Sequence, residues 1–194
     1  MARKSSIKRK TKETDIKVDL TIEGKGKSNN KTTIKFLDHM LDLLAKHGLF
    51  DLKVKTRSLD KDQHHLVEDI GIALGQAFNK ALGNKKGINR AGYFVMPMDE
   101  SLAIAAVDIG GRPYLKFDAE FKDKAVGGLE TELVEDFFQG FVNNLQCNLH
   151  IQLPYGRTTH HRIEAIFKSF SRALSMACEI GRIKDKIPST KGKI

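Results

Sequence analysis

Two stretches of five residues have the types and spacing for chemistry. "HHLVE" at 64–68 recurs as "HHRIE" at 160–164, an offset of 96 positions. On a helix, residues three and four apart share a face, so Glu68 neighbours His64 and His65, and Glu164 neighbours His160 and His161. Adjacent imidazoles diverge by about 100°. Such a helix aims two imidazoles at different points with a carboxylate between them, which suits two metal ions better than one closed site. A lone His-His pair on a helix is usually a solvated face. A pattern that appears twice among only seven histidines calls for metal.

Imidazole and carboxylate without thiolate select Mn, Fe, Co, Ni or Zn. A structural zinc site would be closed and usually rich in cysteine. The centre expected here keeps positions open for a ligand and polarises it as a Lewis acid. Continuing the His64/Glu68 stripe gives Gly71 and Gly75, where another backbone or a ligand could come close. Continuing the other stripe gives Lys168, a cation beside the metal residues that suits an anionic substrate. Arg112 at a Gly-Gly turn, Arg90 at the seam of the chain, and Ser189, Thr190 and Lys191 in "PSTKG" ask for the same partner. A hydroxyl, a lysine and glycine amides can wrap a phosphate.

The apolar period indicates the elements that must position these groups. Residues 15–22 and 50–56 alternate as strands, 38–47 fits a short helix, and 64–82 carries the stripe Leu66, Ile70, Ala73, Leu74, Ala77 and Ala81 up to "GNKKG". Beyond that stop, strands joined by Pro, Asp and Gly turns run through 92–121. A helix over 130–144, a strand at 148–153 and a helix from 160 to about 179 follow. Helix, strand, helix therefore occurs twice. "FDLKVK" matches "CNLHIQ" at an offset of 97, and the same offset sets His39 opposite Asp136. The reading is an α+β fold of two similar α/β half-domains from an internal duplication, each a mixed sheet with helices packed on one face. The divisions are a frayed basic arm at 1–12, half-domains at 13–90 and 91–182, and a substrate-binding tail at 183–194.

The chain has 194 residues, 40% of them hydrophobic, enough for a sizeable core. Cys147 and Cys178 form neither a disulfide framework nor a metal clip, so they read as core residues of a cytoplasmic protein. No long apolar run or signal peptide is present, which argues against a membrane partner. Six of the nine net positive charges come from Arg3, Lys4, Lys8, Arg9, Lys10 and Lys12. Aromatics are 7% of the chain and do not alternate with basic residues on a strand, so nucleic acid is not the expected partner.

"FLDHML" (36–41), "HGLFDL" (47–52), "HHLVEDIGIALGQA" (64–77), "GINR" (87–90), "PMDE" (97–100), "GRPYL" (111–115), "LHI" (149–151), "HHRIEAIFKSFSRAL" (160–174) and "PSTKG" (188–192) together resemble the imidazoleglycerol-phosphate dehydratases of histidine biosynthesis. The resemblance implies a lyase that converts D-erythro-imidazole-glycerol phosphate to imidazole-acetol phosphate and water. It implies two Mn2+ per active site and a homo-oligomer of twenty-four subunits with sites completed between them. The ligands it implies are His39, His64, His65, Glu68, His160, His161 and Glu164, with Asp136 standing where many members have histidine. Gln63 and Leu66 also depart from the usual pattern. It assigns Glu13 to the reacting carbons as base, and Arg90, Arg112, Lys168, Ser189, Thr190 and Lys191 to the phosphate and its surroundings. Two other readings stay open on the residues: a dinuclear-metal phosphohydrolase, and a basic binding protein assembled through metal.

Overall fold

The computed structural model describes residues 2–194. Four strands and two helices form the first half: β1 (Lys4–Lys10), β2 (Thr14–Thr21), β3 (Ser28–Lys31), α1 (Lys35–Gly48), β4 (Asp51–Ser58) and α2 (Gln63–Leu82), the strands making one four-stranded sheet. The second half repeats the plan with β5 (Ala91–Met98), β6 (Ser101–Asp108), β7 (Tyr114–Asp118), α3 (Leu133–Leu145), β10 (Asn148–Tyr155) and α4 (Thr159–Cys178). A small hairpin of β8 (Ala125–Val126) and β9 (Leu129–Glu130) is inserted before α3. Strand order is β1-β2-β4-β3 in one sheet and β5-β6-β10-β7 in the other, so the halves match strand for strand. Each sheet has one parallel pair, β3 with β4 and β7 with β10, among antiparallel ones. The mixed character expected of each half is present.

Alternation along the strands turns one face of each sheet inward. Ile16, Val18, Leu20, Leu52 and Val54 of the first sheet are buried, as are Ala103, Ala105, Val107, Leu149 and Ile151 of the second. The helices fill the layer between, where the Phe138 ring lies 5.1 Å from those of Phe167 and Phe170. Cys147 and Cys178 are buried and free, and burial pushes both thiols up to about 12. Among the described residues, no helix is long and apolar enough to cross a membrane.

The basic arm expected to fray is instead strand β1, paired with β2 from Lys4↔Thr21 to Lys10↔Asp15. Its inner face carries Ser5, Ile7 and Arg9, so only Ile7 gives an apolar signal. Ser5 Oγ donates to the Ala77 carbonyl at 2.7 Å, and Arg9 binds Asp69. Arg3 is likewise tied, to Glu23 and to the Cys178 carbonyl. The first half thus begins with β1, the counterpart of β5. The helix expected from residue 130 starts at Leu133 because Leu129–Glu130 pairs in the hairpin. Neither that hairpin nor β3 was expected, since neither has an apolar alternation.

Gly71 and Gly75 admit a backbone. A Cβ on Gly71 would strike the Phe137 carbonyl and one on Gly75 the Phe141 carbonyl, so α2 and α3 run parallel in close contact. Gly71→Ala should therefore lower the urea midpoint by an amount corresponding to about 1–3 kcal/mol of overpacking. An unchanged midpoint would mean that the two helices are not in contact there.

Candidate active site

Both His-His helices begin with a side-chain cap at equivalent positions. Asp62 accepts from the His64 amide at 2.8 Å, and Thr158 accepts from the His161 amide at 3.4 Å. Such caps satisfy amides that the first helical turn leaves unbonded. They also fix where the following imidazoles start.

The histidines then divide into two kinds. His160 Nε2 lies 3.4 Å from Glu164 Oε2, and His39 Nε2, from α1 of the other half, lies 3.9 Å from the same oxygen. The three donor atoms fall within 4.8 Å of one another. That spacing fits a divalent ion held by each donor at about 2.1 Å. Lys168 Nζ binds the second oxygen of Glu164 at 2.6 Å. Burial pushes the Glu164 carboxyl up, but the hydrogen bond and charge of Lys168, with His39 and His160, together outweigh it and the net shift is downward. The related pair is His64 Nδ1 with Asp136 Oδ2 at 3.7 Å, again joining a helix of one half to a helix of the other. Glu68, on the same helix as His64, makes no ion pair among the described residues.

His65 and His161 belong to neither group. Asp60 Oδ2 holds His65 Nδ1 at 2.7 Å, and Glu100 Oε2 holds His161 Nδ1 at 2.8 Å. These bonds raise the pKa of both imidazoles. With Nδ1 donating, each ring presents Nε2 as the free nitrogen, the arrangement by which a carboxylate orients a metal-binding histidine. Glu13 Oε1 is 3.9 Å from His65 Nε2, and Asp99 Oδ2 is 3.8 Å from His161 Nε2.

The basic groups meet elsewhere. Arg90, Gly110, Gly111, Arg112, Ser189, Thr190 and Lys191 line one cleft of about 360 Å³, together with Lys193 and Ile194. Arg90 is gripped by Asp108 at 2.6 Å and donates to the Pro188 carbonyl at 3.0 Å, which seats the tail against the second half. The tail turns at Ser189–Gly192 through a 3.0 Å backbone bond. Lys168 stands apart from this cleft, with Glu164. His150 is on the outward face of β10 beside Tyr114 and joins none of the histidine clusters.

Sequence reading missed Asp60, Asp99, Glu100 and Thr158. A signal existed for Glu100: β2 opens with "ET" at 13–14 and β6 with "ES" at 100–101, so Glu13 and Glu100 are counterparts. It also missed His47, whose pKa is lowered by burial and then by the charge of Lys168 across the α1–α4 seam.

Fold and site define a duplicated α/β enzyme with candidate metal-binding clusters of imidazole and carboxylate and a separate cationic cleft. The family model described as imidazoleglycerol-phosphate dehydratase matches residues 32–174. The chain belongs to that family, a hydro-lyase family of histidine biosynthesis. It is 55% identical over 192 residues to the imidazoleglycerol-phosphate dehydratase of Koribacter versatilis, covering 98% of each chain. To that of Citrifermentans bemidjiense it is 53% identical over 195 residues, covering 100% of each. The crystal structure of the Staphylococcus aureus enzyme superposes with a TM-score of 0.79 at 40% identity, covering 93% of this chain and 99% of that one. That of Pyrococcus furiosus IGPD in complex with (S)-C348 gives 0.85 at 36% identity, covering 97% and 100%.

Removing the carboxylate behind an outward imidazole should weaken metal binding without unfolding the chain. Asp60→Ala and Glu100→Ala are each expected to lower metal affinity by roughly 10- to 100-fold, read by competition with a chromophoric chelator. Unchanged affinity in both would remove the orienting role.

Proposed function

We infer that this chain dehydrates imidazole-glycerol phosphate at sites assembled from more than one copy, with two Mn2+ in each. The observation that carries this reading is the convergence of His39, His160 and Glu164 beside Lys168. A donor set of imidazole and carboxylate without thiolate suits manganese. The proposed ligands are His39, His64, His65, Glu68, Asp136, His160, His161 and Glu164. A bound cation pair would supply Lewis-acid polarisation of the substrate's imidazole ring.

Distances argue for several copies. Glu100, bonded to His161, sits at the start of β6 and the cationic cleft at its end, about 24 Å apart along a strand. From Asp136, beside His64, to Gln146, whose carbonyl bonds Gly111, is about 15 Å along a helix. The three-carbon chain between the substrate's ring and phosphate covers neither distance. A phosphate in the cleft of one copy must therefore present its ring to the clusters of another. Assembly into twenty-four subunits, and a cytoplasmic location suited to two free thiols, complete the proposal.

The chain's own groups then divide the work. Arg90, Arg112, Ser189, Thr190 and Lys191 hold the phosphate by charge-assisted hydrogen bonds. Lys168 faces the substrate beside the metal carboxylate. Glu13 takes the proton from the carbon next to the one that loses its hydroxyl. One water leaves, and the resulting enol tautomerises to the ketone. Glu13 is suited to this because its carboxylate is half-exposed and has no hydrogen bond among the described residues, whereas Glu100 is bound by His161 and by the amide and hydroxyl of Thr158. Those bonds hold the Glu100 carboxyl far below the usual range, which makes it the weaker base of the two.

His160→Ala should lose both metal, by elemental analysis, and formation of imidazole-acetol phosphate. Turnover by a metal-free variant would sink the proposal. Lys168→Ala should raise KM roughly 10- to 100-fold, the loss of one charged hydrogen bond, with a smaller change in metal content. Metal loss at unchanged KM would reassign Lys168 to the metal centre alone.

A further inference from the structure

Asp69 follows Glu68 on α2 but points the other way, into the seam between that helix and the first sheet. Its side chain is 6% exposed. A carboxylate taken from water to this extent must be matched by donors. Arg9 of β1 supplies two, Nε at 2.9 Å and Nη2 at 2.6 Å, both to Oδ1. Thr14 of β2 supplies the third, its fully buried hydroxyl donating to Oδ2 at 2.5 Å.

Those two donors flank the turn that carries Glu13. The turn is closed by Thr11, whose amide donates to the Thr14 carbonyl at 2.9 Å and whose hydroxyl accepts from the amides of Glu13 at 3.1 Å and Thr14 at 3.0 Å. The Glu13 carbonyl accepts from Leu59, just before Asp60, at 2.7 Å. The backbone of Glu13 is thus pinned on both sides while its carboxylate is left free.

The duplicate half provides an internal comparison. The position equivalent to Asp69 is Ala165, that of Arg9 is Met96, and that of Thr14 is Ser101, whose buried hydroxyl has no partner among the described residues. There the glutamate itself, Glu100, is fixed by its own side-chain bonds. The buried network is present only in the half whose glutamate is free. The second half packs the same elements with Ala165 and Met96 in place of the ion pair, so the duplicated fold itself does not call for a charged pair at these positions.

We propose that Asp69 is a positioning residue for the dehydration: by gripping Arg9 and Thr14 it sets the Glu13 turn against the first turn of α2, and so the reach of the Glu13 carboxylate. The inference rests on Glu13 being the base. A displacement of about 1 Å in such a group costs on the order of 100-fold in rate.

Asp69→Asn keeps the shape and one acceptor. In the metal-loaded oligomer it should lower kcat on the order of 100-fold, with KM and metal content near those of the parent. Thr14→Val, which removes only the hydroxyl, should act in the same direction, and Thr14→Ser should restore the rate. Thr14→Val keeps the question open to measurement if Asp69→Asn fails to fold. The deciding measurement is the cycle with Glu13→Gln: in that background Asp69→Asn or Thr14→Val should cause no further loss of kcat. Losses that multiply, metal depletion, or a parental kcat in Thr14→Val would overturn the positioning role. Full activity of Glu13→Gln alone would instead overturn the assignment of the base.

Discussion

The approach of α2 to α3, with no side chain at Gly71, Gly75 or Gly140, is the contact on which the site depends. It joins a helix of the first half to one of the second, and it brings Asp136 to His64. The reciprocal contact of α1 with α4 brings His39 to His160 and Glu164. Each His-His helix therefore meets a candidate ligand from the opposite half, whereas the His65 group with Glu13 and Asp60 and the His161 group with Asp99 and Glu100 each lie within one half. The halves form one functional unit because of this exchange. The positions on α4 equivalent to Gly71 and Gly75 are Phe167 and Ser171, both buried, so the glycines belong to the α2–α3 contact and are not repeated on α4.

Duplication also explains which groups are free to react. Equivalent glutamates open β2 and β6, beside equivalent histidines. In the second half Glu100 orients His161, and its carboxylate is fully engaged. In the first half Asp60 takes over the orienting bond to His65, which releases Glu13. A released carboxylate needs a fixed backbone to be useful, and the first half supplies one through Thr11, Thr14 and Asp69. The two equivalent glutamates thus differ: one is bonded to its histidine and the other is left free, as the proposed base requires.

Much of this was legible in the sequence because it is periodic. The His-His-x-x-Glu repeats, the long helices and the strands before them follow from spacing, and α2 and α4 stand 96 positions apart at both ends. What escaped was whatever depends on tertiary contact. Strand β1 has one apolar residue on its inner face, because Ser5 and Arg9 find polar partners on α2. Asp60 and Glu100 lie in turns with no period, five and 61 residues from the imidazoles they hold. For Gly71 and Gly75 the sequence left backbone and ligand equally open, and only the position of α3 decides between them.

The outward imidazoles give the duplication its further consequence. His39, His160 and Glu164 face one another within the chain, as do His64 and Asp136, but His65 and His161 are held at Nδ1 by carboxylates and fall in neither group, their Nε2 atoms near Glu13 and Asp99 respectively. A nitrogen so oriented is spent unless something reaches it. The cationic cleft is in the same position: it is built from Arg90, Arg112 and the tail, yet the length of β6 separates it from Glu100 beside His161 and the length of α3 from Asp136 beside His64. Two unfinished features, at different places on one surface, are completed together if the cleft of one copy meets the clusters of its neighbours. On the proposed reading, a small substrate with an azole ring at one end and a phosphate at the other bridges copies, so that binding and assembly draw on the same contacts.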